Sequence, residues 1–322
     1  MRTTIVSGAV AAALSLMCAL QPASAQSNRA TLTQSGSNNL ANIEQMASAQ
    51  NAVATITQTG NYNVAGTPGG AAGIMQMNSQ NVTATINQNG NYNQAGVVQD
   101  DVDNSTAAFA QIGNNNEVAA RQEAASYSNI SARQEGNYNF AEFAQFDVAT
   151  GTVTTRQVGN NNELSVRQER AGNTSPVVEQ QGTANVANIQ QVLDYYSNPS
   201  IYQNGMRNEA NVVQNNARDT QNMTVRQTGM DNRANVSNSG MRNASIVTQT
   251  GNNNVATVSK TMNFNESEIR QIGNLNTATI TQTGTAMTAA QPNVAMIMQL
   301  GNNGNAALAQ TGSNNRATIV QR

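Results

Sequence analysis

Few side chains in this sequence could do covalent or metal chemistry, and their types narrow what that chemistry could be. Histidine is absent from the 322 residues, which removes the commonest general base and the commonest metal ligand together. The single cysteine, Cys18, lies in an apolar leader, so the mature chain has no thiol, no disulfide and no Cys/His metal site. Asp100, Asp101 and Asp103 resemble a fragment of a calcium loop, but no repeated acidic ligand pattern surrounds them, and a solvated loop is the simpler reading. There is no glycine-rich phosphate loop after a strand and no carboxylate pair in an evident pocket, so no catalysis and no cofactor are expected. Sequons such as Asn81-Val82-Thr83 are by-products of an Asn/Thr-rich chain. What the chain does have in quantity is the primary amide of Gln and Asn. Its chemistry is hydrogen bonding, with one carbonyl acceptor and an NH2 donor. Identical amides stacked at a fixed spacing satisfy one another.

Such amides need elements that repeat. Apolar residues make up 38% of the chain, charged residues 11% and aromatics 4%, too little large apolar surface for ordinary globular cores. Low charge with abundant Gln and Asn leaves a disordered polar tract or stacked strands. Periodicity decides for strands. A template Gln-x-Gly-x-x-Asn-x-Ala-x-apolar-x-Gln recurs along the chain. Its first Gln falls at Gln34, Gln58, Gln88, Gln111, Gln134, Gln157, Gln180, Gln203, Gln227, Gln249, Gln271 and Gln299. From Gln88 to Gln203 the step is 23 residues throughout. Two longer steps coincide with insertions near 66–79 and 283–294, both read as loops. The turn glycines are Gly36, Gly60, Gly90, Gly113, Gly136, Gly159, Gly182, Gly205, Gly229, Gly251, Gly273, Gly301 and Gly312, where Gly and Asn tolerate positive φ.

Each repeat carries two near-copies of one strand. Period-2 alternation places Ala30, Leu32 and Gln34 on one face, as it does Asn139, Ala141, Phe143 and Gln145, and Asn162, Leu164, Val166 and Gln168. The opposite phase takes Glu44, Glu117, Arg121, Arg133, Glu142, Arg156, Glu163, Arg167, Glu179, Glu209, Arg226, Arg233, Glu268 and Arg270. Lys260 alone falls on the inward phase, at a strand end from which it is expected to snorkel to water. Hairpins could use the same turns, but identical inward faces and a fixed step favour pairing between successive repeats. The expected fold is all-β: a β-solenoid of about twelve strand–arc–strand rungs, ~4.8 Å apart, in two parallel in-register sheets. The expected ladder positions are the twelve Gln just named together with Gln45, Gln145, Gln310 and Gln321. Asn39, Asn93, Asn116, Asn139, Asn162, Asn185, Asn208, Asn232, Asn254, Asn276 and Asn315 join them.

The first 25 residues read as a secretory signal peptide, with Arg2, an apolar run from Ile5 to Leu20 and an Ala23-Ser24-Ala25 cleavage site. Residues 26–322 then form one repeat domain. The net charge of the whole chain, −2, is too weak to suggest nucleic acid as a steered partner, and no small-molecule substrate is implied.

The repeat resembles the curlin repeat of bacterial curli subunits, Ser-x5-Gln-x-Gly-x-x-Asn-x-Ala-x3-Gln. Gln111-Ile112-Gly113-Asn114-Asn115-Asn116 with Gln122 is similar to it. So are Gln180-Gln181-Gly182-Thr183-Ala184-Asn185-Val186-Ala187 with Gln191, and Gln271-Ile272-Gly273-Asn274-Leu275-Asn276-Thr277-Ala278 with Gln282. The resemblance implies a secreted functional amyloid of a Gram-negative bacterium, exported unfolded through a dedicated pore and polymerised at the cell surface into adhesive biofilm fibres. It implies as partners further copies of the chain, a related curlin subunit and the export and assembly machinery. The chain departs from the short curlins in having about twice their repeats, and the leading Ser is often missing. Its end, Ile319-Val320-Gln321-Arg322, is similar to that of the minor, nucleating subunit. A surface-anchored nucleator and a non-polymerising β-solenoid adhesin are the alternatives. An open strand edge at each end of the stack favours polymerisation. Outward Thr-x-Thr pairs such as Thr31/Thr33 are interrupted by Arg156, Glu179 and Arg226, so no ice-binding array results. The charge-rich middle repeats, Gln111 to Gln227, are expected to be gatekept against premature aggregation relative to those at Gln58, Gln88 and Gln299.

Overall fold

In a computed structural model the described residues are 2–7, 27–46, 48–67, 71–219, 223–284 and 292–322. The signal peptide's apolar run, Cys18 and the cleavage site lie almost wholly outside them. Every regular element among the described residues is a strand. The chain divides into two compact units, Met1–Asn161 and Asn162–Arg322, and each is a two-sheet parallel β-solenoid, the architecture that the repeat predicts.

One sheet of each unit collects the strands that end in a template Gln, here called opening strands. In the first unit these are Arg29–Ser35, Val53–Thr59, Thr83–Asn89, Thr106–Asn114, Ser126–Asn137 and Ala149–Asn160. Each pairs in parallel with the next, Gln on Gln: Gln34↔Gln58, Gln58↔Gln88, Gln88↔Gln111, Gln111↔Gln134, Gln134↔Gln157. Arg2–Ser7 is also paired in parallel with Arg29–Ser35. The second sheet holds the closing strands, among them Gln94–Asp100, Glu117–Glu123 and Phe140–Phe146. In the second unit the opening strands run from Val177–Thr183 to Arg316–Gln321, and the closing strands from Glu163–Glu169 to Asn305–Thr311.

The strands form because period-2 alternation gives each a buried and a wet face. In Thr83–Asn89 the buried set is Ala84, Ile86 and Gln88, and in Glu163–Glu169 it is Leu164, Val166 and Gln168. Apolar columns such as Ile56–Ile86–Phe109 run along the stack in register. Fully burying an Ile contributes roughly 1.5–3 kcal/mol. Phe109 and Phe143 meet with ring centroids 6.1 Å apart. None of the fourteen charges assigned to the outward phase is buried.

The repeat step has a structural origin. The arc after an opening strand is constant: Gln203 Nε2 donates to the carbonyl of Asn208, five residues on, at 3.0 Å. The arc after a closing strand varies. Gln122 Nε2 donates to the carbonyl of Ser128, six residues on, whereas Lys260 reaches Asn265, five on. Six-residue closing arcs accompany the 23-residue step and five-residue arcs the 22-residue step.

The insertion expected near 66–79 is narrower than that. Gly66 and Thr67 pair antiparallel with Ala72 and Ala71, and Ile74–Met77 resumes the closing strand between Ile43–Gln45 and Val97–Asp100. The strand reasserts itself because Ile74 and Gln76 carry the inward alternation of the neighbouring rungs. Residues 285–291 of the second insertion lie outside the described residues.

Candidate functional site: the amide ladders

The inward amides form continuous hydrogen-bonded columns. In the first unit each opening-strand Gln donates from Nε2 to Oε1 of the next: Gln34 to Gln58 at 2.7 Å, Gln58 to Gln88 at 2.8 Å, and Gln88 to Gln111, Gln111 to Gln134 and Gln134 to Gln157 at 2.9 Å. The second unit repeats this through Gln180, Gln203, Gln227, Gln249, Gln271, Gln299 and Gln321 at 2.8–2.9 Å. Most of these amides are fully buried. A buried amide is costly unless paired, and the column pairs each with its own kind. A spare N–H reaches across to the other sheet, as Gln134 Nε2 does to the Glu117 carbonyl at 2.9 Å.

The arc Asn residues form a second column of opposite polarity. Asn93 Nδ2 donates back to Asn63 Oδ1, Asn116 to Asn93 and Asn139 to Asn116, at 3.0–3.1 Å. Asn63 donates to Asn39 at 3.1 Å. In the second unit the chain Asn276→Asn254→Asn232→Asn208→Asn185→Asn162 runs the same way. Gln and Asn amide dipoles therefore oppose each other along the stack. Each Asn also clamps the next arc, as Asn116 Nδ2 does on the Gly136 carbonyl at 2.7 Å.

The arcs need glycine for two reasons. At Gly136 φ is +118°, and a Cβ there would land on the carbonyl oxygen of Gly159. The other expected turn glycines of the template also have positive φ, with Gly301 the exception. Gly301 has room to spare: a Cβ added there would lie 3.6 Å from its nearest neighbour, the carbonyl carbon of Arg322.

Several ladder members escaped the sequence reading. A closing-strand ladder runs Gln45→Gln76→Gln99→Gln122→Gln145 in the first unit and Gln168→Gln191→Gln214 and Gln282→Gln310 in the second, at 2.8–3.0 Å. Only Gln45, Gln145 and Gln310 of it are expected as ladder positions from the sequence, although the closing Gln of the template marks the rest. A further Asn column, Asn315→Asn293→Asn265→Asn243, fills the last closing arcs, five residues after the column residue at Asn243, Asn265 and Asn315 and eleven at Asn293. Gly240, with φ +107°, belongs to the same arc form. Asn238 stands where the template has Gln, and this hid the match.

The closing ladder breaks at Asn238 and Lys260, which occupy the column between Gln214 and Gln282. Here the structure corrects the expectation of snorkelling. Lys260 is 1% exposed, and its Nζ donates to the carbonyls of Ala244 and, at 3.1 Å, Asn265. Those inward carbonyls hold it where water would have to be sought past a packed arc. Burial drives its pKa well below 10.5, against the opposing charge of Glu266. The facing core positions change in step. Met223, Ser245 and Ser267 stand where Ala84, Ala107 and Ala295 stand in other rungs, with Asn238 Nδ2 3.0 Å from Met223 Sδ and Ser245 Oγ 3.5 Å from Asn238 Oδ1. Gln282 Oε1, next above Lys260, has no hydrogen-bond partner among the described residues.

Asp194 is the second buried charge. It lies in the closing arc after Gln191, whose Nε2 donates to its Oδ2 at 2.8 Å. Burial raises its pKa to about 6, against hydrogen bonds from Gln191, Ser197 and the Tyr195 backbone.

Outside, charges pair off. Arg133 and Arg156 stack in register, and Glu135 binds both, at 2.5 and 3.3 Å. The Arg133 hydrogen bond holds the Glu135 carboxyl below its usual range. Arg121–Glu123, Arg167–Glu169 and Arg207–Asp231 are further exposed pairs, each of small net worth to stability. Of the calcium-like carboxylates, Asp100 Oδ1 accepts from Asn78 Nδ2 at 2.9 Å and Asp103 bridges Gln80 and Ser126 through the backbone.

Parallel rungs, a buried amide interior and arcs closed by glycine define a class by architecture, the repeat-built β-solenoids. Within it, the family profile of the curlin associated repeat matches residues 293–322. These residues comprise the opening strands Asn293–Leu300 and Arg316–Gln321 with the closing strand Asn305–Thr311 between them. Over these residues the chain is thus similar to the curlin associated repeat. No curated protein matches it.

Proposed function

We propose that this protein is a structural subunit that polymerises by stacking solenoid edges into curli-like fibres at the cell surface, with adhesion and matrix formation as the fibre's role. The observation that carries this reading is the edge at Arg316–Gln321. It pairs with Asn293–Leu300 on one side and bears no strand on the other among the described residues. Its inward residues Ala317, Ile319 and Gln321 are half-exposed, where their counterparts Ala295, Ile297 and Gln299 are buried. Such an edge offers unpaired backbone groups, an uncovered apolar strip and the next step of an amide ladder. Arg29–Ser35, whose outer side is paired with Arg2–Ser7 and is freed when the leader is removed, carries the same alternation, Arg-Ala-Thr-Leu-Thr-Gln against Arg-Ala-Thr-Ile-Val-Gln. A second copy of this chain is therefore the best-matched partner, and a related subunit with the same repeat the next. The chain's role is mechanical rather than catalytic. Ion-paired charges on the middle repeats keep their outer faces soluble and slow their aggregation.

Purified mature chain should form unbranched fibres by electron microscopy, bind thioflavin and show a cross-β spacing of ~4.8 Å along the fibre. A chain that stays folded and monomeric at high concentration would overturn the reading in favour of a non-polymerising adhesin.

A further inference from the structure

Tyr62 and Tyr92 occupy the same place in successive opening arcs of the first unit, each third in a Gly-Asn-Tyr-Asn turn. Their backbones are nearly identical, with φ +56° and +57°. Tyr92 N donates to the Asn61 carbonyl at 3.0 Å, which fixes the arcs one rung apart. The phenol rings lie face to face, centroids 4.9 Å apart and planes within 1°. They remain 47% and 56% exposed. Tyr138 is 61% exposed on the same column, but the Asn115 rung separates it from Tyr92.

We infer that Tyr62 and Tyr92 are a site of oxidative cross-linking, yielding an intramolecular dityrosine. The oxidant is hydrogen peroxide acting through a haem peroxidase. Each phenol loses one electron and one proton to give a phenoxyl radical. The two radicals couple through carbons ortho to the hydroxyls. The proton on each coupled carbon then moves to its own oxygen, which restores both phenols. Two hydrogens leave the protein in all, and one peroxide becomes two waters. Register supplies what this coupling needs, because two rings held in contact by the rung spacing react at an effective concentration far above that of free partners. Exposure at the arc lets the oxidant reach them and lets one ring tilt to bring its ortho carbon into bonding range.

The position of the pair gives the link a structural use. The step between them is 30 residues rather than 23, because the turn of chain that joins them holds the antiparallel pairing of Gly66 and Thr67 with Ala72 and Ala71. A bond there closes the loop that holds this excursion, so it restrains the unfolded chain across it. The inference stands independently of fibre formation, since both rings belong to one chain.

The test uses the purified, folded full-length chain treated with peroxidase and limiting peroxide at a concentration where it is monomeric. Cyanogen bromide cleavage at Met75 and Met77 separates Tyr62 from Tyr92. The oxidised wild type should leave the fragment holding Tyr62 joined to the one beginning at residue 78, with dityrosine fluorescence and a loss of two hydrogens. Tyr92→Phe should cut the joined product about tenfold or more, while Tyr138→Phe leaves it unchanged. Asn115→Tyr, which fills the vacant rung between Tyr92 and Tyr138 at φ +55°, should raise total dityrosine. Joined fragments at wild-type yield in Tyr92→Phe, or dityrosine formed only elsewhere, would overturn the assignment. Circular dichroism of each variant, taken before oxidation, confirms that the β fold is intact.

Discussion

At the scale of single residues, the buried charges are where this otherwise repetitive interior departs from its rule. Lys260 sits in a glutamine column with its amine held by backbone carbonyls. Its folded pKa lies below 10.5, so over the interval just below pH 10.5 the unfolded chain binds the extra proton. Stability then rises with pH across that interval, and the full cost remains at all lower pH. Lys260→Gln should remove this slope in denaturant titrations and give Gln282 Oε1 a donor, for a gain of about 1–3 kcal/mol near neutrality. Asp194 has the opposite sign. With a folded pKa of about 6 against 3.8, the folded chain holds the proton more tightly, so stability is lost as pH rises through about 6. Asp194→Asn should stabilise by about 3 kcal/mol above that pH and change little below 3.8, and thermal melts at pH 3.5 and 7.5 would show it. The sequence shows that Lys260 points inward, because phase is a property of alternation. It does not show which carbonyls await the amine. Asp194 was not legible at all, since it lies in an arc, where alternation stops and a polar residue between Leu193 and Tyr195 reads as a surface position.

At the scale of strands and arcs, most of the design is open to reading. Strand alternation, the glycine turns and the 23-residue step are each visible in the sequence, and the parallel in-register sheets follow from them. What stayed hidden was substitution within the template. Asn238 for Gln concealed the arc at Gly240, and Gly304 for Asn hid the end of the Asn column, where Gly304 N donates to Asn276 Oδ1 at 2.9 Å. The two glycine environments give a paired prediction. Gly136→Ala imposes positive φ on a β-carbon and drives it into a backbone oxygen that cannot move without its rung. It should cost at least about 3 kcal/mol. Gly301→Ala meets neither obstacle and should stay within ~1 kcal/mol of wild type in urea unfolding. Equal losses in the two would mean that the arc is more plastic than its geometry implies.

At the scale of the whole chain, repetition makes each rung a template for the next, and the same complementarity is available to a second molecule. Ile319→Lys places a charge on the half-exposed strip of Arg316–Gln321 while leaving the interior rungs untouched. Fibre growth followed by thioflavin should slow about tenfold, with the monomer's melting curve unchanged. Unaltered growth would move the polymerising edge elsewhere. The constancy of the opening arc carries a mechanical meaning too. Hydrogen bonds between rungs run along the stack, so a pull in that direction peels strands one at a time instead of shearing the sheet. Each rung advances the stack by only ~4.8 Å but stores 23 residues of chain. Its release lets out roughly 75–80 Å of tether. Each unit built this way is a spool: under load it would lengthen rung by rung, in increments set by steps of 22 to 30 residues, while the remaining coils keep their shape, and it would rewind on the same template when the load falls.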